Sequence, residues 1–143
     1  MSSFKVFDIA GSGMSAQSVR LNTVASNLAN ADSVSGDPTQ VYQAKHPVFQ
    51  SVQALGAAAS QVAEQASASV RVLSIANNSA APESRYDPSN PLANSEGYVY
   101  SSNVNVVEEM TDMISASRSY QNNVEVMNTA RNMMLDTLKL GQS

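Results

Sequence analysis

The last third of the chain carries the feature that most limits its folding. Val106, Met110, Met113, Ser117, Tyr120, Val124, Met127, Arg131, Met134 and Leu138 follow alternating steps of four and three residues, and only Ser117 and Arg131 are polar. Such spacing lays an apolar stripe along one side of an α-helix, as in a coiled-coil seam. Asn105 with Glu108 three residues on forms a capping-box variant at its start, and Gly141 supplies a stop. Glu108, Glu109 and Asp112 lie near the positive end of the helix dipole, with Arg131 and Lys139 toward the negative end. A helix over 105–140 would be about 54 Å long at 1.5 Å per residue. That exceeds the width of a small domain, so the helix must find partners beyond the middle of its own chain.

The N-terminal part holds a second seam. Phe7, Met14, Leu21 and Leu28 recur every seven residues, and Ala10, Gln17 and Val24 follow the first three of them by three places. The spacing predicts a helix over about 4–30. Gly11 and Gly13 would each cost it about 0.8–1 kcal/mol relative to Ala, so its first turns should be its weak end. Asn27 and Asn30, then Asp32, Ser33, Ser35, Gly36, Asp37 and Pro38, compete for backbone hydrogen bonds and close it.

Between the seams the pattern changes. Tyr42–Val52, Val70–Ile75 and Gly97–Ser101 are short β-branched or aromatic runs. The spacer 77–96, with Pro82, Asp87-Pro88, Asn90-Pro91 and Asn94-Ser95-Glu96-Gly97, is dense in turn chemistry and reads as a long ordered connection. The Ala-rich spacer 54–69 favours helix by propensity but lacks large side chains to anchor one, and reads as a mobile loop or frayed helix. The expected fold class is α+β, mainly α. Residues 1–30 and 105–143 supply the helices of a coiled-coil-like domain, and 31–104 a small irregular β module.

Composition narrows the function. The chain has 143 residues, 43% of them apolar and only 14% charged, against roughly a quarter charged in ordinary globular proteins. A surface this poor in charge suits burial against neighbours. The net charge of −4 and the lack of any Lys/Arg cluster remove the electrostatic footprint of a nucleic-acid partner. The absence of cysteine excludes disulfides, thiolate nucleophiles and Cys-based zinc sites. No segment offers the roughly 20 apolar residues of a membrane span, and the N-terminus lacks the apolar run of a secretory signal peptide.

Candidate chemistry has a plainer explanation in each case. Gly11-Ser12-Gly13-Met14-Ser15-Ala16 after an apparent strand Val6–Ala10, with Asp32 about twenty residues on, fits a loose dinucleotide-binding fingerprint. The second strand that motif needs is replaced by Ser26-Asn27-Leu28-Ala29-Asn30-Ala31, a poor strand former, so a flexible helix start is preferred. The single histidine, His46, precedes Pro47 and reads as a solvated strand-edge residue, because no nucleophile elbow accompanies it. Glu108, Glu109 and Asp112 lack the Asp-rich loop of a calcium site and read as helix-start charges. The methionines at 110, 113, 127 and 134 read as apolar interface rather than cofactor ligands. Neither cofactor nor metal is expected.

Leu21-Asn22-Thr23-Val24-Ala25-Ser26-Asn27-Leu28-Ala29-Asn30-Ala31 resembles the N-terminal signature of bacterial flagellar rod and hook proteins. Asn90-Pro91-Leu92-Ala93, Gly97-Tyr98-Val99 and Asn103-Val104-Asn105-Val106-Val107-Glu108-Glu109-Met110 resemble the proximal-rod members in particular. So do Ala116–Val126 and Met133–Leu138. The resemblance implies a non-enzymatic subunit of the basal-body rod in the periplasm, exported through the flagellar type III apparatus without signal cleavage. It also implies torque transmission, and as partners other copies of the chain, neighbouring rod proteins and the membrane-embedded base. The alternatives are a soluble coiled-coil adaptor or secretion chaperone, and an enzyme acting on peptidoglycan.

Physically, each seam can bury one stripe against the other and leave apolar surface for neighbours, so the free subunit is expected to have poorly ordered ends. The side chains expected at the interface are Met14, Leu21, Val24 and Leu28 on the first helix and Met110, Met113, Tyr120, Val124, Met127, Met134 and Leu138 on the second. Intact-mass analysis of rod-incorporated protein should find the N-terminal region retained apart from Met1, and loss of a block of about 15–30 residues would contradict uncleaved export.

Overall fold

The computed structural model describes residues 3–53 and 68–141. Two helices, α1 (Ser3–Ala29) and α2 (Val106–Leu140), frame five strands: β1 (Val34–Ser35), β2 (Lys45–Gln53), β3 (Ala68–Asn77), β4 (Glu83–Tyr86) and β5 (Tyr98–Ser101). The fold is therefore α+β and mainly α, with long terminal helices and a small antiparallel β module between them. Gly11 and Gly13 lie inside α1, and Val6–Ala10 is helical, which removes the strand that the dinucleotide fingerprint required. The Ala-rich expectation lies outside the described residues over 54–67, while Ala68 and Ser69 begin β3.

Asn105 caps α2. Its Oδ1 accepts from the amides of Val107 (3.1 Å) and Glu108 (3.4 Å), satisfying two of the orphan donors of the first turn. Gly141 follows the last turn with φ −81°, and its amide donates to the Thr137 carbonyl. That conformation is open to any residue, so the stop does not depend on glycine's left-handed freedom.

The strands form two sheets. β1, β5 and β4 make a three-stranded sheet in that order, and β2 pairs with β3 as an antiparallel ribbon. The ribbon register shifts at Val48/Phe49: Val48 opposes Ser74 and Phe49 opposes Val72, which leaves Leu73 as a bulge residue. β4, Glu-Ser-Arg-Tyr, falls within the spacer expected to be a connection and is exposed throughout. Its sequence has no apolar alternation, so pairing with β5 defines it. Around it the turn residues act as anticipated. Asn94 Oδ1 accepts from the amides of Glu96 and Tyr98, and Asn90 Oδ1 from Leu92. Gly97 adopts φ +82°, and a Cβ there would stand 2.9 Å from the Tyr86 ring.

Both helices, the β ribbon and the segment leading into it meet at Asn27, which is wholly buried. Its Nδ2 donates to the Lys45 carbonyl and to Glu109 Oε1, both at 2.8 Å. Its Oδ1 accepts from the Tyr42 hydroxyl and the Lys45 amide, both at 2.9 Å. All four hydrogen-bonding positions of the amide are thus filled, by α2, β2 and the segment leading into β2. Asn103 joins the neighbouring connections in a similar way. Its Oδ1 accepts from the Ala44 amide, and its Nδ2 donates to the carbonyls of Asn78 and Ala80. The ribbon is also held to α1 where Ser12 Oγ accepts from the Val70 amide at 3.1 Å. Such attachments matter because a two-stranded ribbon is only marginally stable alone.

Asn27 and Asn30, alike in sequence, differ in structure: Asn30 Nδ2 merely bonds back to the Ser26 carbonyl. Asn27→Ala should destabilise the chain by about 2–4 kcal/mol, because several buried partners lose their hydrogen bonds, whereas Asn30→Ala should cost no more than about 0.5 kcal/mol. Urea unfolding of both variants against the parent measures the difference.

Candidate functional site

α1 and α2 run antiparallel, and four pairs mark their line of contact. Asn27 meets Glu109, Arg20 Nη2 meets Asp112 Oδ1 at 2.7 Å, a Cβ on Gly13 would lie 3.0 Å from Asn123 Nδ2, and one on Gly11 would lie 4.0 Å from the Met127 methyl. Glycine at 13 therefore permits a close approach of the two helices. Along α1 the stripe runs through Val6, Ala10, Gly13, Gln17, Arg20, Val24 and Asn27; along α2 it runs through Glu109, Met113, Ala116, Asn123, Met127, Ala130 and Met134. Every one of these is buried or half-buried.

The expected interface residues divide between two surfaces. Val24 is buried, and Met113, Met127 and Met134 are half-buried on the contact stripe. Met110, Tyr120, Val124 and Leu138 are exposed. Met14, Leu21 and Leu28 are half-buried, each one residue past a contact position on α1, as is Phe7. Met110 and Val124 stand one residue past the contact positions Glu109 and Asn123 on α2. One residue turns an α-helix by about 100°. In an antiparallel pair, that forward step turns both helices toward the same face. Phe7, Met14, Leu21 and Leu28 of α1 therefore share an outer face with Met110 and Val124 of α2.

The large apolar residues of the sequence fall on both stripes, so their spacing alone does not separate the two. On α2 the intrachain stripe instead uses Glu109, Ala116, Asn123 and Ala130 at alternate positions. The clue was the heptad spacing of the small residues Ala116 and Ala130, which large neighbours obscured. Beyond the outer face, Val107 is 74% exposed, Met133 67% and Leu140 78%. Val6, Asn122, Glu125, Val126, Thr129, Ala130 and Met133 line a groove of about 560 Å³ at the open end of the helix pair.

Two polar side chains are less open to solvent than their sequence positions indicate. Glu109 lies in the first turn of α2, as its helix-start reading requires, but it is 3% exposed, and Asn27 donates to it. Burial pushes its carboxyl above the ordinary glutamate range, against the pull of the Asn27 hydrogen bond and the charge of His46, while Asp112 and Glu108 push it further up. His46 stands on an edge strand, as read, in the two-stranded ribbon where it pairs with Ala76, but it is half-buried rather than solvated. Among the described residues, no group of three His, Cys, Asp or Glu side chains could hold a metal ion. No described helix is long and apolar enough to cross a membrane.

Two family models match the chain. Residues 7–36 match the flagella basal body rod protein model, and 95–140 match the C-terminal model of the flagellar basal body rod FlgEFG proteins. The matched regions contain most of α1 and all of α2. Over 142 residues the chain is 52% identical to the flagellar basal-body rod protein FlgC of Salmonella typhimurium and 51% identical to that of Yersinia enterocolitica. Each alignment covers 99% of this chain and 100% of its relative. Similarity extends to FlgC of Buchnera aphidicola subsp. Baizongia pistaciae, at 35% identity over 144 residues.

Proposed function

The chain belongs to the FlgC family of flagellar basal-body rod proteins and is a structural subunit of that rod; from this premise we propose that it polymerises through the outer face of its helix pair and passes torque along the rod. The observation that carries the reading is the outer stripe itself, with Phe7, Met14, Leu21 and Leu28 on one helix and the exposed Met110 and Val124 on the other. Apolar side chains only half-buried on α1 and exposed on α2, repeated along both helices, suit burial against neighbouring subunits. Each large aliphatic group fully buried there would contribute roughly 1.5–3 kcal/mol. Helix-to-helix contact along such a face resists twisting because it is spread over many side chains.

The partners proposed are further copies of this FlgC-family chain, the neighbouring rod proteins and the membrane-embedded base. The route proposed is passage through the flagellar type III export apparatus without cleavage, followed by assembly in the periplasm. Full-length similarity to FlgC chains favours a rod subunit over a soluble adaptor, a secretion chaperone or a peptidoglycan-acting enzyme.

Val124, Met127 and Glu125 separate the two stripes. Val124→Asp should leave the free chain within about 0.5 kcal/mol of its parent, since the residue is exposed, yet block rod completion. Met127→Asp places a carboxylate against α1 and should destabilise the chain itself by about 3 kcal/mol or more. Glu125→Ala should do neither. Each variant is expressed in a strain lacking the native copy, checked for export, and scored for rod completion and swimming. Working rods from Val124→Asp would show that this face is not the assembly surface.

A further inference from the structure

We propose that Glu109 is a proton-operated latch: uncharged, it closes the junction of α1, α2 and β2, and ionised, it loosens that junction. The inference rests on geometry and is independent of the rod reading. Glu109 is 3% exposed and packs where the Asn27 amide joins α1 to α2 and, through Lys45, to β2. Its Oε1 accepts from Asn27 Nδ2 at 2.8 Å, while its Oε2 is buried with no hydrogen-bond partner among the described residues. A carboxylate in that position carries a charge that one neutral amide must support, whereas a neutral carboxyl keeps the Asn27 bond and needs far less solvation.

The surrounding charges do not offset this. On α2, Glu108 and Asp112 have the same sign as an ionised Glu109. The one guanidinium that α1 brings nearby, Arg20, is paired with Asp112 at 2.7 Å. β2 contributes His46, whose charge favours the carboxylate, and Lys45, whose Nζ lies over the Tyr42 ring at 5.5 Å. Tyr42, in the segment before β2, directs its hydroxyl to Asn27. Glu109 thus forms no salt bridge among the described residues.

Its carboxyl is held above the ordinary glutamate range chiefly by burial. The folded chain then binds this proton more tightly than the unfolded chain does. The stabilisation is fully present below the ordinary glutamate value, and it is lost as pH rises through the raised value. Above that point the junction stays at its weaker level.

The test uses the full chain. Melting temperatures of the parent and Glu109→Gln are compared from about pH 4 to about pH 9. The parent's melting temperature should fall relative to the variant's as pH rises through the window and then stay level, with the variant equal or higher at the alkaline end. Parallel curves, or a variant lower at every pH, would overturn the latch. Should the variant not fold, a carbon-13 titration of the Glu109 carboxyl in the parent decides. A midpoint above the ordinary glutamate value supports the proposal, and one at or below it sinks the proposal.

Discussion

One saturated side chain, Asn27, fixes how the rest of the chain is arranged. Its two donors and two acceptor positions are occupied by Lys45, Glu109 and Tyr42, so the amide specifies α1, α2 and the entry to β2 at once. A buried amide with all its bonds made costs little, but any shift in helix register would orphan several groups together. From this point the antiparallel contact extends outward through Arg20 and Asp112 to Gly13 and Asn123. The β ribbon starts at the same place and is attached again at Ser12.

That division gives the helix pair two kinds of surface. Its inner stripe mixes larger apolar residues, Val24, Met113, Met127 and Met134, with small and polar ones, Ala10, Gly13, Ala116, Asn123 and Ala130, and the small ones allow the backbones to approach closely. Its outer stripe carries further large apolar side chains, Phe7, Met14, Leu21 and Leu28 half-buried and Met110 and Val124 exposed. A chain that folded only to bury its own apolar surface would place Met110 and Val124 inside, and the opposite arrangement makes sense for a rod subunit.

Much of the architecture was legible in the sequence. Heptad spacing and caps marked both helices closely, because repeated apolar positions and an Asn at the N-cap act through local geometry. The three apolar runs contributed to β2, β3 and β5, and the Asx-rich turns behaved as their chemistry requires. β4 was hidden because a polar four-residue strand is defined only by its partner. Asn27 was hidden for a related reason: its residue type signals a helix end, while its actual role depends on groups 15 to 82 positions away in sequence. The inner stripe of α2 was obscured because apolar periodicity alone cannot distinguish a seam inside the subunit from one between subunits. Glu109 does lie in the first turn of α2, where its charge suits the helix dipole, but nothing local to it reveals its burial.

On the proposed rod reading, the junction around Asn27 organises the free subunit, and neighbours complete the outer and distal parts of the helices. Amide hydrogen exchange of the free full-length chain and of isolated rods tests this most directly. In the free chain, the slowest exchange should lie in residues 19–29 and 106–119, with faster exchange toward the start of α1 and beyond Asn123 in α2. In rods, those faster regions should gain the most protection. A free chain whose helices are uniformly protected to both ends, or one with no protection at the junction, would contradict it.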